Sequence, residues 1–449
     1  MSKEMIDRAL ERATDTKACL VGDGVIAETV PLFRELFEGA DRAIVIEDPR
    51  TRAAAGEKVA AMLKASGVEV SEHVIEPGGK TFHADYRYVD EVREAIKAAG
   101  VERDGEKIVP VAVGSGVVND LAKRASGELG IPYLVAGTAA SVDGYSSFGA
   151  ALRSPEGAKQ TYPCPAPRAI VADLDVMRTA PKWMAASGFA DLMAKVPAGA
   201  DWILASELGA AEWHDSAWHT VQDGLKEAIG DPEGVVAMET EPLARFVEGL
   251  MLGGFAMQDM QSSRPASGAE HLFSHLLEMR DHTFKGEIVP HGIQVGVFTL
   301  FMCRVYERIL AFDYTKLDVE ACLGNWKPLA EQERLGAAAF AGTKFPDLGV
   351  KAVRAKFADR ETTRARLEDF KARWPEIKKR LEGQLIPSRE IERRLRVVGA
   401  PATPEEIGST VEASLADVRK TIYMRDRYMA LDFLDLTGQL DDFAAKSFV

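Results

Sequence analysis

Short apolar runs, broken by glycine and polar clusters, alternate with amphipathic stretches over the first third of the chain. Strand-type runs are expected over 18–21, 42–47, 68–75, 108–113, 133–136 and 169–173. Helical periodicity fills most of the gaps, over 26–37, 51–66, 90–99 and 118–129. That alternation predicts a doubly wound parallel sheet. From about Arg178 the strand signals stop and helical spacing runs on, over 182–207, 214–229, 241–261, 269–280, 292–311 and 353–381. The fold class is therefore α/β followed by all-α, with domains expected at 1–178 and 179–449 and the cleft between them as the default site. The run RETTRARLEDFKARWPEIKKRLE alternates in charge sign and reads as a surface helix pair. Thr403 to Glu406 carries a capping-box pattern after Pro401.

The stretch VAVGSGVVNDLAKRASGELGIPYLVAGTAASVDGYSS, 111–147, reads as strand, glycine turn, helix and strand. Both of its polar loops, 114–120 and 137–147, fall at strand carboxyl ends, where parallel sheets bind ligands. Glycines and a helix start suit a pyrophosphate. The full dinucleotide fingerprint would have a third glycine where Asn119 stands. Asp120 would repel a phosphate, yet could accept a hydrogen bond from an amide such as a nicotinamide carboxamide; it equally suits a tight turn at a helix start. Asp48 follows the second strand. There it can accept both hydroxyls of an adenosine ribose, which favours NAD over NADP, or serve as the turn residue of Asp48-Pro49.

Composition narrows the partners. A net charge of −14 over 449 residues argues against nucleic acid or an anionic membrane surface. Cys19, Cys164, Cys303 and Cys322 lie far apart and read as reduced thiols of a cytoplasmic protein. The first residues form a charged amphipathic helix without a signal-peptide core, and no apolar run is long enough to span a bilayer.

His271 and His275 stand four apart, one turn of helix on one face. A polar loop then leads to His291, which can return near His271. Asp191, in an otherwise small and apolar helical run, is the best carboxylate to complete a divalent-metal site, because burying it alone would be costly. Two imidazoles and a carboxylate with one position open form a catalytic metal layout. His214 and His219 lack such support and read as structural.

The strings GSGVVND, GTAASVDGYSS, ADLMAKVPAGADW, SRPASGAEHLFSH and PHGIQVG, in that order over roughly 114–297, resemble the sn-glycerol-1-phosphate dehydrogenases. These belong with the iron-type alcohol dehydrogenases, glycerol dehydrogenase and 3-dehydroquinate synthase. GAPATPEEIGST and MRDRYMALDFL resemble the bacterial branch. The resemblance implies an NAD domain followed by a helical metal domain. It implies that Gly116, Val117, Val118, Asn119 and Asp120, with Thr138, Ala139, Ala140, Ser141 and Ser147, line the NAD(P) site. Asp191, His271 and His291 would hold one divalent ion, zinc or nickel ahead of iron. Asp143 and His275 would face the substrate, His275 as proton relay, and Asp191 would touch it as well. Ala140 and Ala190 depart from the proline and glycine common in relatives.

The implied reaction is interconversion of dihydroxyacetone phosphate, a small phosphorylated three-carbon substrate, and sn-glycerol 1-phosphate by a homo-oligomer. Lys195, Arg264 and Lys285 are candidate phosphate partners. The rivals are a glycerol dehydrogenase acting on unphosphorylated polyols, a cyclising lyase that returns its NAD unchanged, and a catalytically silent nucleotide-binding module.

Overall fold

A computed structural model of the chain describes residues 3–77, 82–101, 108–155 and 159–448. Its main sheet uses strands β1 (Ala18–Gly22), β2 (Arg42–Glu47), β3 (Glu69–Val74), β4 (Ile108–Gly114), β5 (Leu134–Gly137) and β8 (Ala169–Asp173). The order is β1-β8-β5-β4-β2-β3, and every neighbouring pair is parallel. The four inner strands are buried at every position, as continuous apolar runs covered on both faces should be. The edge strand β3 keeps polar residues and is half-exposed. Pro110 lies inside β4, where a missing N–H is normally excluded. It is tolerated because pairing with β5 begins only at Val111.

The chain runs outward from β2 to β3, then returns past β2 to β4 and β5. The strand order therefore reverses between β2 and β4, and ligands bind outside the carboxyl ends at such a switch. Glu47 and Gly114 mark those ends.

The sequence pattern did not show two small antiparallel pairs. One is β6 (Ala150–Arg153) with β7 (Lys159–Tyr162); the other is Thr283–Phe284 with Glu287–Ile288. Both are short, and the second turns through Lys285 and Gly286 at positive φ, as two-residue hairpins require. The expected surface helix pair is corrected to one helix of 25 residues, Arg360–Gln384, running through Pro375. Leu367, Phe370, Trp374, Ile377 and Leu381 recur at three- and four-residue spacing and are buried. Five such side chains contribute roughly 1.5–3 kcal/mol each, more than the ~3 kcal/mol an internal proline costs. The capping box of Thr403 and Glu406 is present and heads a short 3₁₀ turn, Pro404–Ile407.

The chain packs as two compact units: Met1–Leu192 with Ser216–Ser263, and Met193–Asp215 with Arg264–Val449. Residue 178 lies within the first unit, because helices beyond it pack with the sheet. Ser146 donates to the Met251 carbonyl at 2.7 Å, and Gln258 Nε2 donates to the Ser146 carbonyl at 2.5 Å. No described helix is long and apolar enough to cross a membrane.

Glu47, at the end of β2, is fully buried, and neither carboxylate oxygen has a hydrogen-bond partner among the described residues. Burial, reinforced by Glu72 and opposed by Arg52 at 3.8 Å, pushes its carboxyl up to about 7. The folded state thus holds this proton more tightly than the unfolded chain does. Stability is lost as pH rises from about 4.5 to about 7, then levels off, by up to about 3 kcal/mol. Glu47→Gln is expected to raise the melting temperature at pH 8 and leave it nearly unchanged at pH 4. Equal shifts at both pH values in thermal unfolding would contradict this.

Candidate functional site

In the first unit, β4 ends at Gly114 and the helix Gly116–Leu129 starts at once. A Cβ at Gly114 would lie 2.4 Å from the Val118 side chain, so this glycine permits close strand–helix packing. A Cβ at Gly116 would meet Val142 at 2.9 Å, so this one brings the second loop against the first. The N-cap Ser115 makes no side-chain capping bond, which leaves the helix start to attract an anion.

The second loop is held from beneath. Lys123, fully buried, donates to the carbonyls of Gly144, Ser147 and Gly149 at 2.8, 3.0 and 3.1 Å. Asn119 is also fully buried. Its Oδ1 accepts from Tyr133 at 2.9 Å and its Nδ2 donates to the Gly144 carbonyl at 3.4 Å. Tyr145 donates to the Ala139 carbonyl at 2.8 Å, and Ser147 to that of Gly144 at 3.2 Å. The Ala140 carbonyl packs on Gly188, where a Cβ would lie only 2.2 Å away. Thr138, Ala139 and Ala140 are buried, whereas Val117, Asp120 and Ser141 are half-exposed. Asp120 accepts from the Ala151 N–H at 3.2 Å and lies 3.5 Å from Lys123 Nζ. Asp48 Oδ1 accepts from the N–H groups of Arg50 and Thr51, closing a capping box. That geometry is the turn role. Asp191 is fully buried in helix Lys182–Met193, and its Oδ2 accepts from the Asp143 N–H at 3.2 Å.

In the second unit the three histidines converge. His271 and His275 sit on helix Ala269–Met279, and His291 is the first residue of helix His291–Ala311. Ring centroids are 5.3 Å apart for His271 and His291, 6.3 Å for His271 and His275, and 5.7 Å for His275 and His291. The polar connection does bring His291 back to His271, as the sequence predicts. Glu270 Oε1 lies 2.8 Å from His271 Nδ1 and also accepts from the Gly268 N–H at 2.7 Å. Glu278 Oε1 lies 3.0 Å from His291 Nδ1, and its Oε2 lies 3.2 Å from His275 Nδ1. A carboxylate on Nδ1 fixes the proton there and turns Nε2 outward as a basic donor, the usual support of a metal-bound imidazole. His271 and His291 therefore fit a divalent ion. His275, Glu278 and His291 also bring donor atoms within 4.8 Å of one another. In that group Glu278 occupies both Nδ1 atoms, which makes it a hub that orients two rings.

His275 differs from its neighbours. Burial pushes its imidazolium down to about 3, with Arg425 and His291 adding to the effect and Glu278 opposing it. Arg425 Nη2 lies 3.3 Å from His275 Nε2, so the neutral ring accepts there and donates from Nδ1 to Glu278. Of the suggested phosphate partners, Lys285 stands exposed at the hairpin tip over the Phe284 ring, and Arg264 is buried. His219 pairs with Asp223 on an exposed face.

The sequence pattern did not single out Lys123, Glu270, Glu278 or Arg425. A signal existed for the two glutamates. An acid next to one histidine and three residues beyond another can meet their rings on a helix. Lys123 and Arg425 had no local signal.

A model of the iron-containing alcohol dehydrogenase family matches residues 20–181. A glycerol-1-phosphate dehydrogenase (NAD(P)+) of Bacillus licheniformis is 32% identical over 292 residues, covering 65% of this chain and 70% of that protein. The Pyrococcus furiosus enzyme of the same name is 32% identical over 295 residues, covering 64% and 78%. The structure is similar to that of a glycerol dehydrogenase from Schizosaccharomyces pombe, with a TM-score of 0.57 and 16% identity over 97% of this chain and 91% of the other. It is also similar to a sulfoacetaldehyde reductase from Bifidobacterium kashiwanohense in complex with NAD+, with a TM-score of 0.55 and 16% identity over 96% and 97%. At those identities the structural likeness speaks for the fold.

Replacing Lys123 tests the loop clamp. Lys123→Met takes the ammonium from the carbonyls of Ser147 and Gly149 and leaves that of Gly144 to Asn119 and Ser147, and it is expected to lower unfolding free energy by about 2 kcal/mol or more. NADH affinity should fall with it. Denaturant unfolding and NADH titration check both, and unchanged NADH affinity would show that the clamped loop does not carry the cofactor.

Proposed function

The chain belongs to the glycerol-1-phosphate dehydrogenase (NAD(P)+) family, and from that premise we propose how its residues interconvert dihydroxyacetone phosphate and sn-glycerol 1-phosphate. It is an NAD(P)-dependent oxidoreductase. The observation that carries the assignment of roles is the pair His271 and His291. Each ring has its Nδ1 held by a carboxylate, which leaves Nε2 for an ion.

In this reading His271, His291 and Asp191 hold one divalent ion. Two imidazole nitrogens and one carboxylate oxygen suit zinc or nickel, with a position open to substrate. A buried carboxylate such as Asp191 is costly without a cation, which supports its place in the set. When bound, the ion supplies Lewis acidity toward the substrate's oxygens, and NAD(P)H supplies the hydride. The cofactor lies on Gly116–Asp120 and on Thr138–Ser141 with Ser147. Within that set Asn119 acts by holding the second loop through Tyr133 and Gly144. Asp143, whose N–H fixes Asp191, faces the substrate. His275 is the proton relay in this reading: its Nε2, which accepts from Arg425 at 3.3 Å, exchanges that contact for a hydroxyl proton of the substrate or of a water that delivers it. Its ring is kept neutral, so it orients that proton and does not store a charge. Asp48 uses Oδ1 for its cap, and its second oxygen serves the ribose. A cytoplasmic homo-oligomer completes the reading, and its mass in solution checks the assembly.

Three outcomes follow. Chelation is expected to abolish NADH oxidation by dihydroxyacetone phosphate, and zinc or nickel to restore it. His271→Ala should lose bound metal and should not be restored, because one imidazole and one carboxylate are too few ligands. Full turnover by metal-free protein would overturn the ion's role. For Asp48, Asp48→Gly keeps most of the helix cap. It should narrow a preference for NADH over NADPH by removing repulsion of the 2′-phosphate. An unchanged preference in paired kinetics would leave Asp48 with its turn role alone.

A further inference from the structure

At the carboxyl end of β2, beside the reversal in strand order, Asp48 caps the turn Pro49–Thr51. The Arg50 N–H donates to Asp48 Oδ1 at 2.7 Å, and the ring of Pro49 fixes the backbone between them. A carboxylate and a guanidinium are therefore carried two residues apart on one rigid turn. Asp48 is buried. Arg50 is exposed, and its side chain makes no hydrogen bond or ion pair among the described residues.

We infer that Arg50 receives the 2′-phosphate of NADP(H) and is the residue that lets this site take both cofactors. The inference rests on the reading that the cofactor's adenosine lies at Asp48, and it says what the same turn does with the extra phosphate. The two residues act in opposite directions. Asp48 accepts ribose hydroxyls through its second oxygen and repels a 2′-phosphate. A planar guanidinium offers that phosphate a fork of donors and the opposite charge, and it asks nothing of a free 2′-hydroxyl. NADH therefore meets the carboxylate and leaves Arg50 in water. NADPH meets both, and the attraction offsets the repulsion.

The rest of this corner is already matched in charge. Arg52 Nε lies 3.4 Å from Glu57 and 3.8 Å from Glu47, and its Nη2 lies 3.2 Å from Glu72. Lys64 meets Glu72 as well, at 2.6 Å. Burial pushes the Glu47 carboxyl up to about 7, so this acid carries only part of a charge at neutral pH. Asp48 spends Oδ1 on its cap. An anion arriving at the turn thus finds in Arg50 a cation that no carboxylate has engaged. Lys58 is exposed too, but it stands on the following helix, Glu57–Ala65.

Arg50→Gln tests the assignment, because an exposed side chain can be changed without disturbing the packing. Loss of one charge-assisted contact is expected to raise KM for NADPH about 10-fold, while KM for NADH stays within about twofold. Arg50→Lys should recover part of the loss. Lys58→Gln, which removes an equal charge one helix on, should leave both constants in place. A second readout needs no turnover. In calorimetric titration of the full-length protein, adenosine 2′,5′-bisphosphate should bind the wild type about 10-fold more tightly than it binds Arg50→Gln. Adenosine 5′-monophosphate should bind both alike. An unchanged KM for NADPH, or equal binding of the bisphosphate by wild type and Arg50→Gln, would overturn the assignment and leave the family reading intact. Equal weakening with both cofactors and both nucleotides would overturn it as well, since Arg50 would then meet a phosphate that they share. Wild-type protein that binds neither nucleotide would instead defeat the placement of adenosine at this turn, and the inference with it.

Discussion

An imidazole can hold a divalent ion only through a nitrogen that carries no proton, and the ring has two nitrogens to choose between. In the helical unit that choice is made by Glu270 and Glu278. Each carboxylate takes Nδ1 of a histidine, which places the proton there and leaves Nε2 unprotonated. The carboxylates are themselves held. Glu270 accepts from the Gly268 backbone, and its neighbour Asp201 ties Ala269, Tyr306 and Ala430 together. Gly268 has no room for a side chain, since a Cβ would lie 2.7 Å from Glu270 and 2.8 Å from Asp201. The helix that carries His271 and His275 therefore starts from a fixed point, and the stacked Phe273 and Phe298 rings fix its other face.

The sheet unit solves a different problem with a similar device. A loop that approaches a cofactor must be irregular, and an irregular buried loop leaves carbonyls to satisfy. Lys123 answers three of them with one buried ammonium, Asn119 adds a second donor to the Gly144 carbonyl, and Tyr145 answers that of Ala139. Glycines at 114, 116 and 188 are explained by packing against Val118, Val142 and Ala140. In this chain the glycine turn therefore acts first as a spacer between strand, helix and loop. The open helix start at Gly116 is the part that suits an anion.

Much of this was legible in the sequence. The strands at 42–47 and 169–173 are buried on both faces, so unbroken apolar runs announced them. The spacing of His271, His275 and His291 announced the histidine cluster, because helix geometry makes i and i+4 neighbours and a hairpin returns the third ring. Asp48 was legible only as a choice between two roles. Its capping bonds, made through Oδ1, explain the residue locally. What could not be read were contacts between distant segments. Lys123 sits in an ordinary amphipathic stretch, and its role depends on carbonyls more than twenty residues away. Arg264 and Arg427 lock across 160 residues of chain through main-chain carbonyls, which leave no trace in side-chain patterns. The stretch through Pro375 was read as helical but as a pair, and it is one helix because a local rule is outweighed by the packing of five apolar residues.

The central claim is that the histidine and cofactor residues serve one hydride transfer to a phosphorylated three-carbon ketone. Its most direct test is stoichiometry with stereochemistry. Metal-loaded enzyme is given NADH and dihydroxyacetone phosphate, and the oxidised cofactor and the glycerol phosphate enantiomer are counted together. The account predicts one NAD+ for each molecule of sn-glycerol 1-phosphate. Recovery of NADH unchanged alongside a converted substrate, or formation of the opposite enantiomer, would contradict it.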